Sequence, residues 1–206
     1  MICLVSSKSF LGGLALTIII PAFHTYPEHG AIIGRLVMGY SEFELMLAFC
    51  TSLTLDVEQD DILRAFFRIR SESNKFALAD ALMHTPLKRL GLEPLFAELK
   101  PAYKHVLKIR NQYAHCQWAD TASGLFFVDL DETAKKFEGF IQHYNHIDVP
   151  LLKLQEEFFA STRMFLLYFE HEIKLKQKKV KQYIRSKPLL PEPPSLHNPQ
   201  DQHPYP

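Results

Sequence analysis

The chain has 206 residues, 47% of them hydrophobic and 22% charged, which suits one domain with appendages and leaves little room for two. Sixteen Phe against eight Gly favour long packed helices over the Gly-punctuated strands of a sandwich or barrel. Lys plus Arg equals Asp plus Glu, 23 each, so the formal charge is zero. That excludes the whole-molecule basic field of a non-specific nucleic-acid binder, and any such contact must be local.

Cys3, Cys50 and Cys116 are odd in number and far apart, with no CxxC pair. They give no disulfide framework, and a reducing, cytoplasmic setting is the default. Residues 1–30 form an apolar N-terminal arm: from Phe10 to Phe23 only Thr17 is polar, and Lys8 precedes it. The stretch has the length of a signal-peptide core and is too short to span a bilayer. Pro21 breaks its end and no Ala-x-Ala-like site follows. A packed arm, a signal-like segment and an extended start all stay open.

From residue 31 the pattern is helical. Ile33, Leu36, Tyr40, Phe43, Leu47 and Cys50 recur at steps of three and four, the face of a long amphipathic helix. Ile62, Phe66, Ile69, Phe76 and Met83 mark a second helix, with Asp60 and Asp61 at its dipole-favoured start and an end at Thr85-Pro86. A third helix is expected from about Leu92 to Trp118, with Pro101 as a candidate break. Leu125–Val128 and residues 140–149 read as two short strands of a hairpin. Pro150 then opens a last helix carrying Leu151, Leu154, Phe158, Phe165, Leu166, Phe169 and Ile173. The expected fold is therefore mainly α, a bundle of about four long helices over 31–185 with a small β-hairpin insertion near 120–150.

Seven basic residues lie between Lys174 and Lys187, and seven of the 13 Pro follow from Pro188 onward. The basic run reads as a solvated helix end. Residues 186–206 read as a disordered or extended Pro-rich tail.

Phosphate loops, GxGxxG, HExxH and zinc-like Cys/His arrays are absent from the sequence, and no cofactor is called for. His143 and His146 are three apart but have no further ligand candidates nearby. The one constellation with chemistry in it is RNQYAH, residues 110–115, near the end of the third helix. Asn111 and His115, four apart, fall about 40° from each other on a helix, and Arg110 lies about 140° from His115. Three polar groups where an apolar helix should pack must be paired or functional.

Arg110, the polar Asn111, a three-residue spacer and His115 on one helix of a small bundle resemble the HEPN (higher eukaryotes and prokaryotes nucleotide-binding) superfamily. The layout of about 31–175 agrees, and only the hexapeptide is specific. The resemblance implies a metal-independent endoribonuclease acting by 2′-OH attack, with Arg110, Asn111 and His115 catalytic. It also implies Glu42 or Glu44 on the first long helix as a supporting acid, and a homodimer whose two motifs share one cleft. RNA is then the substrate, and a toxin-like role would add an antitoxin or regulatory protein; no membrane is implied. His115 suits a base or acid near neutrality, Arg110 a bidentate phosphate clamp, and Asn111 an orienting group. The competing reading is structural. Arg110 then pairs with Glu42 or Glu44 across the bundle, with Asn111 and His115 capping backbone groups, in a structural interaction protein; a further alternative keeps the fold and dimer as a catalytically inactive nucleotide- or partner-binding module.

Overall fold

The computed structural model describes residues 20–121, 123–129, 144–181 and 186–199. Four long helices carry the body: α2 (Pro27–Leu55), α4 (Glu72–Leu90), α5 (Glu93–His115) and α6 (Val149–Lys176). Two short helices, α1 (Ala22–Thr25) and α3 (Gln59–Phe66), precede α2 and link it to α4. Three strands complete the described elements: β1 (Cys116–Thr121), β2 (Gly124–Asp129) and β3 (Asn145–Ile147), antiparallel in the order β1-β2-β3. The mainly α bundle with a small β insertion is the architecture expected.

Three local expectations are corrected. The second helical run is two helices, because the chain turns at 67–71 and Ser71 then caps α4 by accepting from the Asn74 amide at 3.3 Å. Pro86 and Pro101 lie inside α4 and α5 and break neither. A proline frees the carbonyl four residues back, and Leu82 and Ala97 both lie on the exposed side of their helices, where solvent can satisfy those carbonyls. The third helix stops at His115, and Trp118 belongs to a strand that the helical reading absorbed. β1 forms because its residues have a partner: Trp118 pairs with Phe127 across the ladder, stacks on Tyr113 and packs at a tilt against Phe23.

Helix ends follow their residues. Gly91 takes φ +70° to close α4, a conformation costly to side-chain residues, and Asp148 caps α6 by accepting from the Leu151 amide at 2.9 Å. Gly124 sits at φ +143° with His146 Nε2 only 2.8 Å from where a Cβ would stand. Any side chain there would open the β2–β3 pair.

The core is aromatic. Tyr103 stacks on Phe76 at 4.8 Å and meets Phe43 edge-on at 6.1 Å, while Phe43 meets Phe159 and Phe96 stacks on Phe169. These rings tie α2, α4, α5 and α6 into one interior. On the outer side α2 and α6 run in the same direction. The ion pairs Glu28–Lys153, Arg35–Glu156 and Glu42–Arg163, with Asp56–Lys179 beyond, follow in the same order along both. Among the described residues α2 is the one helix long and apolar enough to cross a membrane, and half of that apolar window is buried in the bundle.

Residues 186–199 contain neither helix nor strand, as their Pro content dictates, yet they pack on the body. Leu190 and Leu196 pack against the core. Asn198 closes the run, donating from its backbone to the His146 carbonyl and pairing its side chain with Asp148. The tail is thus held by tertiary contacts that composition alone does not reveal.

Candidate functional site

Arg110, Asn111 and His115 occupy the last two turns of α5, where the helix passes directly into β1. Val106, Ile109 and Tyr113 are buried and fix the rotation of the helix, which leaves Arg110 and Asn111 half-buried and His115 exposed. Between them, Tyr113 belongs to the frame. Its hydroxyl donates to Oε1 of the fully buried Gln155 of α6.

Arg110 faces α2 and α4. Its guanidinium carbon stands 5.7 Å from the Tyr40 ring centroid, Nη1 donates to Asn111 Oδ1 at 2.9 Å, and Nη2 lies 3.4 Å from Glu72 Oε1. The Arg110 and Glu72 side chains retain about a fifth and a quarter of their accessible surface, so the pair is at the edge of the core. Arg110 Nε is buried without an acceptor among the described residues. The guanidinium therefore keeps donor capacity beyond its two visible partners. His115 has no hydrogen bond or ion pair among the described residues, and none joins it to Arg110 or Asn111. Within one chain Arg110 lies about 7.5 Å along the axis from the imidazole and about 140° round the helix, while Asn111 lies about 6 Å away and nearly on the face of His115.

The expected supporting acids are elsewhere. Glu42 is exposed and bound to Arg163 of α6 at 2.6 Å, on the outer α2–α6 side. Glu44 forms a largely buried pair with Lys75 at 2.7 Å, its side chain 13% and that of Lys75 10% exposed. The carboxylate that meets Arg110 is Glu72, hidden in the sequence because continuous apolar spacing runs α3 and α4 together. Its signal was local: an acidic residue just after a capping Ser.

Other titratable groups near the motif are held protonated. Burial pushes the Tyr40 and Tyr103 phenols, and that of Tyr113, well up from their ordinary range. The Cys116 thiol, next to His115, is pushed up to about 12, chiefly by burial. None of these is a base or nucleophile at neutral pH. His146 packs against Phe126 with ring centroids 5.1 Å apart, and His143 lies outside the described residues. Among the described residues no three His, Cys, Asp or Glu side chains converge on one point. The chain matches no protein-family model, no curated protein and no solved structure.

Proposed function

We propose that the protein is a metal-independent endoribonuclease of HEPN type, cleaving RNA at a cleft formed by two copies of the chain. The observation that carries this reading is the pairing, at one helix end, of a partly exposed guanidinium with an exposed imidazole that has no hydrogen-bond or ion-pair partner among the described residues. Because His115 and Arg110 face different ways in one chain, a two-fold arrangement is what would supply an imidazole on each side of a phosphate. One His115 takes the ribose 2′-OH proton as the 2′-oxygen attacks phosphorus. The P–O5′ bond breaks, the second His115 protonates the leaving oxygen, and a 2′,3′-cyclic phosphate remains. Arg110 stabilises the charge that develops on the phosphate oxygens, held in position by Asn111 and by the Tyr40 face. Glu72, in the role expected of Glu42 or Glu44, keeps the guanidinium oriented.

The test is labelled RNA incubated with purified protein. His115→Ala should slow cleavage by roughly two to four orders of magnitude, with far less change in RNA binding. Arg110→Ala should reduce both, and EDTA should leave the wild-type rate unchanged. Equal cleavage by wild type and His115→Ala, or products ending in 3′-OH, would overturn the proposal.

A second reading rests on the same guanidinium. Its contacts with Tyr40, Asn111 and Glu72 also serve as a pin between α2, α4 and α5, as in a non-catalytic binding or interaction module. In that case Arg110→Ala lowers thermal stability, and no preparation cleaves RNA.

A further inference from the structure

The groove between α5 and α6 holds residues 188–198 in a way that resembles ligand binding more than loop packing. Three successive carbonyls of the segment are taken by side chains. His105 Nε2 lies 2.8 Å from the Pro194 oxygen, Gln155 Nε2 donates to Ser195 at 2.8 Å and to Leu196 at 3.1 Å, and Gln112 Nε2 donates to Leu196 at 2.7 Å. The Gln155 amide is aimed at the groove because Tyr113 holds its oxygen from behind. Glu98, His105 and Gln112 recur every seven residues and so form one stripe of α5, with Lys187 on Glu98 at the near end.

The chemistry is one-sided. The groove presents N–H donors along the carbonyl run, and a Pro-rich segment lacks many of its own N–H groups but keeps every carbonyl. From Lys187 to Leu196 the segment keeps pace with α5 from Glu98 to Gln112, about 21 Å of helix. Nine steps over that distance average about 2.3 Å each, more open than an α-helix though short of full extension, and proline pre-orders such an open chain at low entropic cost. Leu190 and Leu196 supply the apolar anchors.

We propose that the α5–α6 groove is a recognition site for an extended proline-rich peptide, that residues 188–198 are its resident ligand, and that releasing them opens it to the same segment of a second copy. The tether gives the resident segment an effective concentration on the order of millimolar, so it excludes a competitor at micromolar concentration. The proposal is independent of any ribonuclease activity.

The experiment uses the full chain and a fluorescent synthetic peptide of residues 186–199, followed by anisotropy. Leu196→Asp in the chain unseats the resident segment and should raise peptide affinity at least tenfold over wild type. Asn198→Ala, which removes only the side-chain hydrogen bonds to Asp148, should raise it less and serves if Leu196→Asp loses its helical circular dichroism. Adding His105→Ala and Gln112→Ala to either variant should abolish the gain. Peptide binding no tighter in the variants than in wild type, or a gain that survives loss of both donors, would overturn the proposal.

Discussion

Tyr113 and Gln155 form a buried relay from the candidate motif to the tail, and its energetics follow from who satisfies whom. The Tyr113 hydroxyl donates to Gln155 Oε1, and the Gln155 amide donates to two tail carbonyls. Gln155 is 0% exposed and Tyr113 4%. Gln155→Leu keeps the volume but leaves the Tyr113 hydroxyl without its acceptor, about 1–3 kcal/mol for a buried polar group. The two tail bonds add about 1 kcal/mol, since water reaches those carbonyls once the tail loosens. The total is roughly 2–4 kcal/mol. Tyr113→Phe strands the Gln155 oxygen at a cost of about 1–2 kcal/mol. In the double variant neither group is stranded by the other, so the costs should fall short of additivity by about 1–2 kcal/mol. Urea unfolding followed by far-ultraviolet circular dichroism measures all four corners of this cycle. Costs that add to within about 0.5 kcal/mol would refute the relay, because independent sites add to that precision.

The buried Glu44–Lys75 pair makes a second prediction: Lys75→Met strands a carboxylate and should cost about 3–5 kcal/mol, while Lys75→Met with Glu44→Leu recovers most of it in the same denaturation assay. His105 titrates below its ordinary value because burial disfavours its charge and Lys108 opposes it, though the Pro194 carbonyl works the other way. The unfolded chain then binds more protons below about pH 6.5, so stability falls as pH drops through that value towards the lowered folded pKa. His29, lowered mainly by burial, adds the same sign, and His105→Gln should flatten part of the fall in a series of thermal melts. In a Cys3→Ser background, Cys50 and Cys116 should resist maleimide at neutral pH until the protein is denatured, because burial keeps both thiols protonated. Rapid labelling of native Cys116 would contradict the packing of the α5–β1 junction.

The bundle was legible because its four long helices repeat apolar residues at helical spacing, and Phe43, Phe76, Tyr103 and Phe169 point inward as that spacing requires. What was not legible depends on partners distant in the chain. Cys116–Thr121 carries no strong strand pattern, and only β2 beside it makes it a strand. Ile69 fits the helical phase on both sides of the turn at 67–71, which hid the break between α3 and α4. Pro86 and Pro101 signalled helix ends, but whether the freed carbonyls meet water is a property of the assembled surface. At the site, Arg110, Asn111 and His115 stood out as polar residues on an apolar helix. Glu72 did not, because its proximity to Arg110 comes from the way α4 folds back over α2 and α5. The tail's partners, His105, Gln112 and Gln155, read individually as ordinary polar positions on amphipathic helices.

The ion pairs between α2 and α6 each add little to stability, since they are solvent-exposed, but their order carries information. Parallel helices with heptad-like apolar faces can slide by seven residues, about 10 Å, and still bury leucine against phenylalanine. Here such a slide is penalised in both directions. Moving α6 one way sets Glu156 against Glu28 and Arg163 against Arg35; moving it the other sets Glu156 against Glu42. Alternating charge along α2 therefore acts as a vernier, rejecting misaligned pairings that the hydrophobic core would tolerate.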